Sequence, residues 1–111
     1  MRQVRHPLVD RDVASIFEHV LSTTQGDLDA AEQRLDEVDN LLAAIATNPT
    51  SGMRLSAPLE GWLVRHGGRR QMITVVFRPD LENRLLYIAL VAFGRQNWLV
   101  AAQDRRNVLT E

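Results

Sequence analysis

The sequence predicts an α+β domain of the order β-α-α-β-β-β, in which a helical hairpin covers one face of an antiparallel sheet. Three observations predict this class. Apolar residues recur with the period of helices, about 3.6 residues, through the first half of the chain, and with the strand period of about 2 through the second half. Turn residues separate the segments. The chain has 111 residues, of which 45% are hydrophobic, which is typical of one domain with its own core.

The first strand and the first helix are predicted at the N-terminal end. Residues 2–9 have the pattern of a short strand, and Pro7 confines it to a sheet edge or to a strand end. Asp10 is a residue type that caps helix N-termini, so we expect the helix to begin there. The apolar positions have the spacing of one helical face, and they are Val13, Ile16, Phe17, Val20 and Leu21.

A second helix is predicted to run antiparallel to the first. Gly26 suits the end of one helix and Asp27 the N-cap of the next, so the link between the helices is tight. Apolar residues three and four positions apart define the buried face, namely Leu28, Ala31, Leu35, Val38, Leu42 and Ile45. The acidic residues take the opposite face, which indicates a solvated helix surface rather than a cation site. The helix ends at Asn48, Pro49 and Gly52.

Three runs of β-branched and aromatic residues predict the remaining strands at 61–66, 69–78 and 84–93. The third run is apolar on both faces, which predicts a central strand with the helices on one side. Two turns join the runs into a meander, and their residues are Gly67, Gly68, Pro79, Asp80 and Asn83. The tail from Gln96 has two interpretations, a short amphipathic helix or a loose segment.

The composition excludes several classes of function. The chain has no Cys, which excludes disulfides, thiolate zinc sites, cysteine nucleophiles and iron–sulfur clusters and favours the cytoplasm. It shows neither a secretory leader nor an apolar run of about 18 residues, so we expect no secretion and no membrane span. Phosphate-loop, dinucleotide and nucleophile-elbow motifs are absent, and the three His lack metal-ligand spacing. We therefore expect neither a cofactor nor a metal.

The charges are segmented along the chain. The formal net charge is −1, but residues 25–47 sum to −5 and residues 48–111 to +4. The C-terminal half can therefore present a basic surface on a mildly acidic protein. The sequence pI of 6.3 lies well below the value of about 9 that is typical of nucleic-acid binders.

Arginines cluster in the predicted sheet, because Arg65, Arg69, Arg70 and Arg78 belong to neighbouring strands and Arg95 follows the third. A guanidinium offers five donors in a planar fork that matches phosphate. If these groups converge on a concave sheet, they can hold an RNA backbone or stabilise a transferring phosphate. The alternative is that these arginines only keep a hairpin soluble and protect a sheet edge, since the chain has no Lys.

The two tryptophans have different predicted roles. Trp62 opens a strand, and we expect it to anchor the sheet against the helices. Trp98 follows the last strand, where it is a candidate for a partner-binding groove, since aromatic residues are enriched at interfaces.

Four segments in this order carry a family resemblance, namely residues 6–16, 45–52 with the Asn-Pro helix stop, 61–65, and 86–98 with the closing strand. They resemble the RelE/ParE superfamily of bacterial type II toxins. The resemblance covers about residues 4–98 of a single domain that spans 1–111, with 99–111 as a C-terminal tail. It implies a helical hairpin packed on a twisted antiparallel sheet.

The resemblance also implies a function, namely a cytoplasmic toxin for growth inhibition or plasmid stabilisation. A cognate antitoxin neutralises it in a hetero-oligomer, with a basic or amphipathic segment along the sheet groove and the acidic face of the second helix. RelE-like members cut messenger RNA on the ribosome, with basic residues at the phosphate and a C-terminal Tyr or His near the chemistry. For that branch the resemblance assigns catalytic roles to Arg65, Arg78 and Arg95. ParE-like members bind DNA gyrase and need no catalytic residue.

Departures from the nuclease pattern favour the second branch. Trp98 stands about where the tyrosine of that branch is expected, and an indole cannot exchange a proton as an acid or base. The lysines of that branch are also missing. We therefore predict a ParE-like toxin that inhibits DNA gyrase by binding it. The residues expected at the partner surface are Trp98, Leu99, Arg69 and Arg70.

Two alternatives stay open. One is a RelE-like ribonuclease that acts on messenger RNA at the ribosome, in which case the chain is an enzyme. The other is a nontoxic protein-interaction domain whose sheet groove accepts a partner helix.

Overall fold

The computed structural model describes residues 1–94 and 96–106. The elements are β1 (Arg2–Arg5), α1 (Val9–Thr23), α2 (Leu28–Thr47), β2 (Met53–Arg54), β3 (Leu63–Gly67), β4 (Ile73–Asp80), β5 (Leu85–Phe93) and α3 (Trp98–Arg105). No helix in these two ranges is both long and apolar enough to cross a membrane. Nor do the same residues bring together three or more His, Asp or Glu side chains that could hold a metal ion.

The described strands form one sheet in the order β1-β5-β4-β3-β2. β1 runs parallel to β5, whereas all other neighbours are antiparallel. This confirms the predicted α+β class, with β5 as an internal strand. β1 lies at a sheet edge. It ends at Arg5, before Pro7, and is therefore shorter than the predicted strand over residues 2–9.

Both faces of the sheet are buried. The helical face packs against α1 and α2, and its main residues are Leu63, Val75, Phe77 and Ile88. The α3 face lies on the other side, and its main residues are Trp62, Val64, Val76, Tyr87 and Leu90. α3 and the loop residue Leu59 cover this second face. Trp62 is buried as predicted. It does not pack against α1 and α2, however, because neighbours along a strand face opposite sides and Leu63 takes the helical face.

The predicted N-cap is wrong for α1 and confirmed for α2. α1 begins one residue before Asp10, which therefore lies in the first turn. The chain turns early because His6 Nδ1 accepts a hydrogen bond from the Leu8 backbone N–H at 3.0 Å. A carboxylate in the first turn still interacts favourably with the helix dipole. Asp27 caps α2 as predicted, since its Oδ1 accepts from the Ala30 N–H at 3.0 Å.

The connection between β3 and β4 is longer than the two-residue turn predicted at Gly67 and Gly68. Residues 69–71 form a short 3-10 turn, so β4 begins only at Ile73. Gly68 has a φ of +71°, and a Cβ atom there would lie 2.7 Å from Glu37 Oε1. The chain therefore passes against α2 before it returns to the sheet, which a tight hairpin does not allow.

An ion pair attaches α3 to the body of the domain. Arg105 donates to both carboxylate oxygens of Asp12, at 2.6 and 3.0 Å, and to the Ala89 carbonyl oxygen at 3.0 Å. Asp12 Oδ2 also accepts from the Val91 N–H at 3.1 Å. The Ala89 carbonyl and the Val91 N–H belong to β5 and lie beyond Ile88, the last residue of β5 that β1 pairs with, so the Asp12 and Arg105 side chains satisfy them. They lie next to the register irregularity between β4 and β5 at Val76 and Phe77. The tail that the sequence left open is thus a docked helix as far as Arg105.

Candidate functional site

Two of the three arginines predicted at a phosphate lie on opposite faces of the sheet. Arg65 pairs with Val75 across β3 and β4 and therefore shares the helical face. Arg78 pairs with Tyr87 across β4 and β5, on the α3 face. The third, Arg95, lies outside the described residues.

The two described arginines also have different environments. Arg65 Nη1 donates to Ser51 Oγ at 2.8 Å, which ties β3 to the loop after α2. The guanidinium carbon of Arg78 lies 5.3 Å from the centre of the Trp62 ring and 4.8 Å from that of Tyr87, both within cation–π range. Because the sheet lies between Arg65 and Arg78, one phosphate group cannot contact both guanidinium groups.

Arg69 and Arg70 occupy the 3-10 turn between β3 and β4, and both are exposed. The Arg69 backbone N–H donates to Glu37 Oε1 at 2.9 Å, while Glu37 Oε2 pairs with Arg34 at 2.7 Å. The guanidinium groups of Arg69 and Arg70 make no hydrogen bond or ion pair with the part of the chain that the structure describes. They are therefore available to a partner.

His66, Thr74 and Trp98 form a small cluster on the α3 face that sequence reasoning missed. His66 Nδ1 lies 2.8 Å from the Oγ1 of the buried Thr74. The exposed imidazole ring meets Trp98 edge to face, with 6.2 Å between the ring centres. His66 and Thr74 are cross-strand partners, but a two-residue turn would have paired His66 with residue 69. Only the correct length of the turn could have revealed this cluster.

The predicted partner residues share one end of the sheet, where β3 ends and β4 begins. Trp98 starts α3 and is half-buried against the α3-face core, whereas Leu99 is 42% exposed. The Gly94 N–H donates to the Met72 carbonyl oxygen at 2.8 Å, so the segment that leads into α3 lies beside the turn of Arg69 and Arg70. The structure thus brings these four residues to one end of the molecule.

His6 is a buried titratable group that interacts electrostatically with the ion pair that holds α3. Burial lowers its pKa below the ordinary 6.5, and the nearby positive charge of Arg105 lowers it further, while the Asp12 carboxylate opposes both effects. The hydrogen bond from Leu8 also requires an unprotonated Nδ1. His6 therefore acts as a neutral structural residue between β1 and α1.

The fold has a counterpart among solved structures. A chain in the crystal structure of the RelBE2 toxin–antitoxin complex from Mycobacterium tuberculosis is similar with a TM-score of 0.55 and 17% sequence identity. The match covers 83% of this chain and 95% of that chain. No protein-family model and no curated protein matches the sequence. The likeness is one of fold, and it confirms the arrangement that the RelE/ParE resemblance implies.

Proposed function

We propose that this chain is the toxin of a bacterial toxin–antitoxin pair and that it stops growth by binding DNA gyrase. The shared fold supports the first part, because it extends over almost the whole length of a chain from a toxin–antitoxin complex. The proposal places the protein in the cytoplasm, in a hetero-oligomer with its antitoxin, with no cofactor and no catalytic residue.

The placement of Arg65 and Arg78 is the observation that favours binding over RNA cleavage. A site that stabilises a transferring phosphate needs several donors aimed at the same oxygens. These two arginines face opposite sides of the sheet, one bound to Ser51 and the other over two aromatic rings. A gyrase inhibitor needs no such convergence.

We assign the target-binding surface to one end of the sheet, which carries Trp98, Leu99, Arg69 and Arg70. Aromatic and arginine side chains contribute most to protein interfaces. The ion pair between Arg105 and Asp12 holds α3 in place, so that Trp98 and Leu99 are presented on a fixed helix. Such preorganisation reduces the entropy that is lost on binding.

Induced expression without an antitoxin, in a bacterial host with a DNA-damage reporter, tests the proposal. We expect growth arrest with the reporter switched on, because trapped gyrase leaves broken DNA. Leu99→Glu is expected to relieve the arrest, since it places a charge on an exposed part of the surface. Leu28→Glu is the matched control. The helical spacing predicted Leu28 on the buried face, which is wrong for this residue, because it is 58% exposed at the start of α2. Arrest that survives Leu99→Glu and Trp98→Ala would refute the assigned surface.

Messenger RNA cleavage at the ribosome is the second candidate, and one observation favours it. The imidazole of His66 is held by Thr74 at the same end of the sheet as Arg69 and Arg70, and a base near cations is what RNA cleavage requires. Arrest with a silent reporter and cut messenger RNA would support this candidate. The predicted catalytic role of Arg65, Arg78 and Arg95 is then tested by substituting each with Ala. Unimpeded growth would instead favour a nontoxic interaction domain.

A further inference from the structure

An apolar hollow lies between α1 and the adjoining ends of β4 and β5. It has a volume of about 320 Å³, and its apolar lining comes from Ile16, Met72 and Phe93. Met72 is 36% exposed, and the His19 ring meets the Phe93 ring edge to face at 5.9 Å. Apolar surface that stays open to solvent beside polar residues is typical of binding sites.

A second hollow of about 270 Å³ adjoins the first one, because Met72 and Phe93 line both. Its remaining lining is entirely basic and consists of Arg34, Arg69 and Arg70. We call the two hollows together the α1 groove. It is apolar at one end and cationic at the other.

The cationic end carries more positive charge than its surroundings neutralise. Glu37 pairs with Arg34 at 2.7 Å and also accepts the Arg69 backbone N–H. The guanidinium groups of Arg69 and Arg70 have no acidic partner among residues 1–94 and 96–106. The described lining therefore has a surplus of two positive charges and complements an anionic ligand.

The backbone that carries these arginines is strained. Arg70 and Gln71 both have a φ of 57°, in the left-handed region that non-glycine residues avoid. The turn is nevertheless held, since the Gln71 N–H donates to Gly68 O at 3.1 Å and the Met72 N–H donates to Arg69 O at 3.2 Å. Strain that the surrounding structure maintains is concentrated at functional sites.

We propose that the α1 groove binds an acidic, amphipathic peptide segment of a partner protein. An apolar side chain of the segment fills the hollow at Ile16, Met72 and Phe93, and its carboxylates contact Arg69 and Arg70. The apolar end favours a peptide over RNA. A base needs an open ring face to stack, whereas Phe93 is half-buried against the core and its ring also contacts His19. The inference rests on the proposed function in one respect, because the partner protein that carries this segment is the antitoxin. The basic segment expected on the acidic face of α2 would be a different part of that partner.

The test uses a fluorescein-labelled peptide of about twelve residues, with leucines on one helical face and glutamates on the other, and measures fluorescence anisotropy. A matched peptide carries glutamine in place of every glutamate. We expect the full-length protein to bind the acidic peptide, and Arg69→Gln with Arg70→Gln to weaken binding by at least about tenfold. Ser15→Trp, which fills the apolar end from an exposed helix position, should weaken binding as well.

The control removes two exposed arginines that do not line the groove, with Arg2→Gln and Arg54→Gln, and should leave the affinity within about twofold. The proposal is overturned if the acidic peptide does not bind, if the glutamine peptide binds equally well, or if both arginine pairs lower the affinity equally. A single-stranded RNA that binds in preference, with the same dependence on Arg69 and Arg70, would also overturn it. The assay does not depend on toxicity, so a chain that binds the peptide but leaves growth unaffected would refute only the proposed function.

Discussion

Asp12→Asn is expected to destabilise the domain strongly, because Asp12 is the acceptor on which the docking of α3 depends. The side chains of Asp12 and Arg105 are only 15% and 14% exposed, so solvent screens their interaction little. Breaking a buried pair costs about 3–5 kcal/mol, since one charge is left uncompensated. Asparagine keeps an oxygen for the Val91 N–H, and Arg105 keeps its bond to Ala89 O. We therefore expect the lower value, a loss of about 3 kcal/mol.

For a chain of this size, about 3 kcal/mol corresponds to a fall in the melting temperature of roughly 12 °C. Urea and thermal unfolding followed by circular dichroism measure both quantities. Asp10→Asn is the matched control, because Asp10 lies in the same helical turn, is 91% exposed and pairs only loosely with Arg5, at 3.6 Å. An exposed pair of this kind contributes about 0–1 kcal/mol.

A double-mutant cycle with Arg105→Met isolates the pairwise contribution of Asp12 and Arg105. We expect a coupling of about 2 kcal/mol or more, together with faster amide exchange in α3 for both single variants. If Asp12→Asn costs no more than Asp10→Asn, or if the coupling is near zero, the reasoning that this pair holds α3 is refuted.

Three further predictions concern stability. The free energy of unfolding should fall as the pH drops below about 6.5. The pKa of His6 is lower in the folded chain than in the unfolded chain, so the unfolded chain takes up the proton at a higher pH and is favoured in acid. Urea titrations at several pH values check this, and a flat profile would contradict it. Gly68→Ala should cost about 2 kcal/mol or more and Gly26→Ala only about 1 kcal/mol, since both have positive φ but only Gly68 lacks space for a Cβ atom. Asp27→Ala should cost about 1 kcal/mol through the lost N-cap. Asp29→Ala, in the first turn of α2 but not at the cap, should cost less, and thermal melts compare the two variants.

Much of the fold was predictable because its signals are local. The apolar faces of both helices and the strand period follow from neighbouring residues, and Asp27 caps α2 through a bond to Ala30, three residues away. The apolar run at 84–93 identified β5 as an internal strand, since only a strand buried on both faces tolerates such a composition.

Contacts between distant residues decided the rest. The turn after Gly67 lengthens because the chain meets Glu37 of α2, and this single change set the register that pairs His66 with Thr74. The sequence identified the arginines and Trp98 as candidates for a surface, but it could not show that Arg65 and Arg78 face opposite sides.

By itself, therefore, the sequence determined the class of the fold, the order of β1, α1, α2 and the three long strands, and the residue types available for recognition. Only the tertiary structure decided which of those residues meet. The physical reason is that helix and strand patterns depend on neighbours along the chain, whereas strand register and the docking of α3 depend on contacts such as that of Asp12 with Arg105, 93 positions apart.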